Sequence, residues 1–323
     1  MKEVYLDQNA WIALLREDEG KTHADDVMKA LETARKAAAA GRAIFPLSLV
    51  HLIETLRRRD KSSRDQLAEL MYELSRGTCI IPYSRMITKE IANLACRWAG
   101  LPTSELKATV PGISYLFGER AGVSFHPSQE LPPDLVRRLP ALKRMLEAKV
   151  NDPSIVLWAL KNEAVISDRI RNRSYDLRYV SLMEKTRQVE FLTKDPILRR
   201  QRSAALYFGQ AILPKLLRLA LDAGLSRRII EEKLNPYRIE EVLKEIPTAY
   251  TTWTLTYRRD IQKNRPIDKN DLADIFALSI AIPYCDVVVT ENEWTRIAMM
   301  DKLDQLYEVR IIRSVGGLAE HLT

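Results

Sequence analysis

Carboxylates recur along this chain where apolar, strand-like runs stop. Asp7 follows Val4-Tyr5-Leu6, and Glu54 follows Ile44-Phe45-Pro46-Leu47 by way of Ser48. Asp271 and Asp274 open an apolar, helix-like stretch, and Asp286 and Glu291 bracket Val287-Val288-Val289-Thr290. In an α/β sheet the ligand crevice lies at the carboxyl ends of the strands, so acids placed there converge although they are distant in sequence. Converging carboxylates are hard oxygen ligands, which suit Mg²⁺ or Mn²⁺ and a metal-activated water. No Ser–His–Asp or Cys–His pair is required for that chemistry.

Each acid also has a plain structural reading. Asp7 sits at a strand-to-helix turn, where Asp or Asn caps free backbone N–H groups, and Asn9 is the better placed of the two for that role. Glu54 is a good helix former on a helix starting near Ser48, although Leu52, Ile53 and Leu56 around it argue against full exposure. His51 and Glu54 form an H-x-x-E pair at one-turn spacing that lacks the second His of a zinc protease. Asp271 and Asp274 are three apart, on one face of a first helical turn where the dipole favours negative charge.

The elements that must position these groups alternate at both ends of the chain. Strands are expected at Val4–Leu6, Ala43–Leu47, Thr78–Pro82, Asp286–Thr290 and Val309–Ile312. Helices are expected at Ala24–Ala40, with Gly41 as its stop, from Ser48, at Leu67–Leu74, Thr88–Trp98, Pro247–Lys263, Lys269–Ala281, Glu293–Met300 and Gly317–Leu322. Strands alternating with helices predict a parallel sheet. Between these blocks strand signals are scarce. A proline-rich linker through Pro102, Pro111, Pro127, Pro132, Pro133 and Pro140 leads into helical patterns near 134–150, 153–166, 175–193, 203–222, 226–234 and 239–245, with no fixed repeat. The expected organisation is an α/β core from residues 1–100 and 247–323, with a helical insertion over 101–246.

Bulk properties narrow the class. At 46% hydrophobic and 29% charged residues, disorder is not expected and a globular core is. A net charge of +7 favours a polyanionic partner. Cys79, Cys96 and Cys285 make no zinc-finger spacing, and a reducing cytoplasm is the expected location. Acids near the start argue against a signal peptide, and no apolar run approaches a membrane span, so no membrane partner is expected.

The stretch Asn270-Asp271-Leu272-Ala273-Asp274, then Pro283-Tyr284-Cys285-Asp286, then Val288-Val289-Thr290-Glu291 resembles the PIN-like nuclease family, in a bacterial branch. The resemblance covers about 1–100 and 247–323. It implies a three-layer PIN-like parallel-sheet core carrying a large all-helical insertion. It also implies a cluster of Asp7, Glu54, Asp271 or Asp274, and Glu291 that holds Mg²⁺ or Mn²⁺, with Asp286 as an auxiliary acid. The fourth acid is Glu rather than the commoner Asp and follows Thr290 directly, which leaves Glu293 as a second candidate. The implied activity is metal-dependent hydrolysis of phosphodiester bonds, with RNA favoured on the family's habit.

A basic stretch supports a nucleic-acid substrate. Between Arg169 and Arg202 ten basic residues, among them Arg169, Arg171, Arg173, Arg199 and Arg200, face four acids. Tyr175, Tyr179, Phe191, Tyr207 and Phe208 are interleaved, so Arg would hold phosphates and aromatics would stack on bases. Arg57-Arg58-Arg59 and Arg258-Arg259 are further phosphate contacts. The rival expectation is a catalytically inactive nucleic-acid-binding or adaptor protein acting through the helical block, and that block would also suit an inhibitory protein partner.

Overall fold

The computed structural model describes residues 1–113, 116, 132–150, 152–162, 193–234, 238–262 and 269–322. The chain begins β1 (Lys2–Leu6), α1 (Gln8–Asp18), α2 (Asp25–Ala39), β2 (Ala43–Ile44), α3 (Leu49–Leu56), α4 (Lys61–Ser75), β3 (Thr78–Ile80), α5 (Tyr83–Trp98) and β4 (Thr109–Pro111). It continues through α6 (Pro133–Val150), α7 (Ser154–Lys161), α8 (Pro196–Tyr207), a π-helical turn (Phe208–Ile212), α9 (Leu213–Asp222), α10 (Arg227–Lys233), α11 (Ile239–Lys244) and α12 (Pro247–Asp260). Last come α13 (Lys269–Tyr284), β5 (Val287–Val289), α14 (Asn292–Met300), α15 (Leu303–Leu306), β6 (Arg310–Ile312), a 3₁₀ turn (Val315–Leu318) and α16 (Ala319–Leu322). The fold is mixed α/β and mainly helical. It sorts into two compact units, Met1–Pro82 with Thr109–Ser167 and Val315–Thr323, and Tyr83–Ala108 with Asp168–Ser314.

In the first unit β1 and β2 run parallel, pairing Lys2 with Ala43 and Glu3 with Ile44. Val4, Tyr5 and Leu6 are all buried, as in a strand covered on both faces. α2 buries the small side chains Ala30, Ala34, Ala37 and Ala38, which lets it lie close to its neighbours, and Gly41 (φ +66°) follows its end as expected. The third expected strand forms, but its partner differs. β3 pairs antiparallel with β4, and only the single bridge between Leu47 and Cys79 is parallel. Pro111 therefore ends a strand rather than lying in a linker, a place where its missing N–H does no harm, and Pro133 and Pro140 lie in α6. Gly77 (φ +69°) before β3 admits no side chain, because a Cβ there would lie 2.4 Å from the Pro153 carbonyl oxygen.

In the second unit β5 and β6 are parallel, in the register Val287–Arg310, Val288–Ile311 and Val289–Ile312. α12 packs chiefly on α13 and is buried nearly all round, including Thr248, Thr251, Thr252, Thr254 and Trp253. The expected helix at 203–222 begins earlier, at Pro196, and widens into a π turn just before Pro214. Proline lacks the N–H that a regular α-turn needs, and the wider turn accommodates it. Contrary to expectation, the run Pro196–Asp222 is long and apolar enough to cross a membrane by length and composition. Its Ala204, Phe208, Ile212, Leu216 and Ala220, four residues apart, are buried within this unit and account for part of that apolarity. The expected helix at 175–193 lies outside the described residues except for Thr193.

Candidate active site

Asp7 and Glu54 belong to the first unit. Asp7, not Asn9, is the N-cap of α1: its backbone is extended and its Oδ1 accepts the Ala10 N–H at 2.8 Å. The chain leaves β1 extended, and the first residue able to satisfy an orphan N–H turns it into helix. α3 opens with a reciprocal cap, in which Ser48 Oγ accepts from the His51 N–H at 3.4 Å and the Ser48 N–H donates to His51 Nδ1 at 3.0 Å. His51 is fully buried, stacked on Tyr5 at 5.3 Å and edge-on to Trp11 at 6.3 Å. The histidine of the H-x-x-E pair thus has its Nδ1 taken by the cap and its ring packed between Tyr5 and Trp11. Glu54, half-buried and one turn on, shares the face that His51 packs toward β1 and α1. A hydrogen bond from Gln8 Nε2 to Thr55 Oγ1 at 3.4 Å ties the start of α1 to the same helix.

In the second unit Asp271 and Asp274 have different roles. Asp271 is 3% exposed, and its Oδ2 accepts from Arg259 Nε at 2.8 Å and from Arg259 Nη2, on a guanidinium that is itself fully buried. Asp274 is half-buried, and its Oδ2 accepts the indole N–H of Trp294 at 3.1 Å. Glu291 is exposed just beyond β5 at the N-cap of α14. Glu293 accepts from Gln262 Nε2 at 2.7 Å and from Arg296 Nη2 at 2.8 Å, so it is already committed to neighbours. Asp286 is exposed at the amino end of β5, opposite the end that leads to Glu291. Five extended residues span roughly 15 Å. Ligands to one Mg²⁺ lie about 2 Å from the ion, so Asp286 and Glu291 do not share one.

A similar order of elements occurs once in each unit, although only Asp7 caps a backbone N–H with its side chain. A parallel strand ends, a carboxylate residue takes the N-cap of the next helix, and a half-buried carboxylate stands on another helix: Asp7 with Glu54, and Glu291 with Asp274. Among the described residues no three His, Cys, Asp or Glu side chains lie close enough together to hold a metal ion. Carboxylates are donors of the kind that Mg²⁺ and Mn²⁺ take, and such ions can bind through one or two of them while keeping water and substrate phosphate as their other ligands.

The basic candidates separate by burial. Arg200 is bidentate to Glu240 at 2.8 and 3.1 Å, reaches Asp301 at 2.8 Å and lies 4.7 Å above the Trp253 ring. Arg258 pairs with Asp301, at 3.0 Å through Nη2, and Arg259 is buried against Asp271. A guanidinium already neutralised by carboxylates has little to offer a phosphate, so these three are structural. Arg199 donates to the Thr193 and Lys194 carbonyls. Arg57 is exposed at the C-cap of α3, one turn past Glu54, and Arg58 donates to Ser63 Oγ at 2.9 Å. Phe208 is buried rather than offered to a base. Arg169, Arg171, Arg173, Tyr175, Tyr179 and Phe191 lie outside the described residues.

Two buried groups that sequence reasoning passed over, or took for ligands, have pKa values displaced by burial. Burial pulls the His51 pKa down to about 3, against a smaller raising contribution from the Leu6 backbone. Burial pushes Glu90 on α5 up to about 7, partly offset by hydrogen bonds from Thr248 and the Tyr284 hydroxyl. A neutral His51 contributes stability that is present above its unfolded value near 6.5 and lost as pH falls toward 3. A protonated Glu90 contributes stability that is present below about 4.5 and lost as pH rises through 7. Each contributes a slope of about 1.4 kcal/mol per pH unit inside its window. The two slopes oppose each other between about 4.5 and 6.5. We expect Glu90→Gln to remove the falling limb toward pH 7 in denaturant-unfolding titrations and to leave the acid limb intact. An unchanged profile would remove Glu90 from this account.

Comparison of the chain with protein-family models, with curated proteins and with solved structures returns no match.

Proposed function

We propose that this chain is a divalent-metal-dependent nuclease with a PIN-like three-layer core and a helical insertion, and that RNA is its favoured substrate. The observation that carries this reading is the repeated placement of a carboxylate at the N-cap that follows a parallel strand, with a second half-buried acid on a further helix. Asp7 with Glu54 in the first unit, and Asp274 with Glu291 in the second, are the residues that would hold Mg²⁺ or Mn²⁺, and Asp271 is set aside by its pairing with Arg259. An ion bound there supplies an acidified water and charge stabilisation at the departing oxygen of a phosphodiester. The protein's own part is to hold the carboxylates ready. The N-terminal dipoles of α1 and α14 ease the gathering of negative charge, and their N–H groups favour phosphate as well. Arg57 and Arg58, on the turn after Glu54, are proposed to hold the substrate backbone.

The test is cleavage of labelled single-stranded RNA and DNA with Mn²⁺, with Mg²⁺ and with EDTA, paired with thermal unfolding. We expect products with either metal and none with EDTA, RNA cut faster than DNA, and stabilisation of about 2.7 kcal/mol when Mg²⁺ is at 100 times its Kd. No cleavage and no thermal shift would overturn the nuclease reading in favour of a nucleic-acid-binding or adaptor protein.

A further inference from the structure

Trp294 is the third residue of α14, and its indole is 2% exposed, so its N–H has no access to water and must be satisfied inside the protein. The acceptor is Asp274 Oδ2 at 3.1 Å, twenty residues earlier on α13. Three residues before Trp294, at the N-cap of the same helix, stands Glu291. One rigid helix start thus carries Glu291 and also grips Asp274, while Glu293 beside it is engaged by Gln262 and Arg296. Asp274 has two side-chain torsions, and a donor on one oxygen restricts both.

We infer that Trp294 is a positioning residue for Asp274, holding that carboxylate and Glu291 in one fixed relation for a divalent cation. This rests on the nuclease reading above. A neutral N–H donor suits the task, because it orients a carboxylate without neutralising it, as the Arg259 guanidinium does to Asp271. Partners of this kind, one shell behind a metal ligand, change metal affinity or activity about 10–100-fold when removed.

Trp294→Phe keeps the buried ring and deletes only the N–H. We expect the half-saturating Mg²⁺ concentration for cleavage to rise 10–100-fold and KM for RNA to stay unchanged. A second measurement needs no activity. In ¹⁵N-indole-labelled wild type, the Trp294 N–H signal, identified by its loss in W294F, should shift saturably on titration with Mg²⁺ and broaden with traces of Mn²⁺. The signal of exposed Trp158, in the first unit, serves as the control. Wild-type cleavage that W294F reproduces with the same Mg²⁺ requirement, or an indole signal blind to both metals in an active enzyme, would overturn the inference and leave the nuclease reading standing. A wild type that neither cleaves nor responds to Mg²⁺ would overturn the reading itself.

Discussion

Asp271→Ala should destabilise the second unit by about 3–5 kcal/mol, because it removes the carboxylate that hydrogen-bonds the fully buried Arg259 guanidinium through both Nε and Nη2. Among the described residues Asp260 also lies near it, 3.7 Å from Arg259 Nη1, too long for a strong charge-assisted hydrogen bond. The cost arises from the stranded charge more than from the lost attraction. Replacing both partners with apolar residues, as in Arg259→Met with Asp271→Leu, should therefore recover much of the loss. Denaturant unfolding of the two single variants and the double variant measures the effect. A single variant within 1 kcal/mol of wild type would show that the pair is not a buried structural ion pair.

Asp7→Asn and Asp274→Asn should do the opposite, leaving stability nearly intact and lowering cleavage by about 10³-fold. Asn caps a helix about as well as Asp, so Asp7→Asn preserves the bond to the Ala10 N–H while removing the charge. Asp274→Asn likewise keeps an oxygen for the Trp294 indole and loses only its charge. Initial rates at saturating Mg²⁺, with thermal unfolding alongside, separate the two consequences. Full activity in both variants would remove these acids from the site. Together with Asp271→Ala the series also separates the two adjacent carboxylates, one acting through stability and the other through chemistry.

Much of the local architecture was legible in the order of residues. The strand at Val4–Leu6, the stop at Gly41, the helix following Ser48, and the strand between Asp286 and Thr290 all follow from apolar period and from glycine or polar punctuation, which act within a few residues. β4 was not legible, because a three-residue edge strand ending in proline carries no period and forms only once β3 offers a partner some thirty residues away. Nor did the pattern Asn-Asp-x-x-Asp distinguish its two acids, since both fit a first helical turn equally well.

The sequence by itself determined that carboxylates stand where strands end, since a strand, a turn and a cap are written in consecutive residues. Only the tertiary structure decided which partners these charges take. Arg259 claims Asp271, Glu240 and Asp301 claim Arg200, and Trp294 reaches back to Asp274. The physical reason is that the state of a charge depends on its burial and on partners 12 to 101 residues away in these pairs, and no local periodicity encodes either.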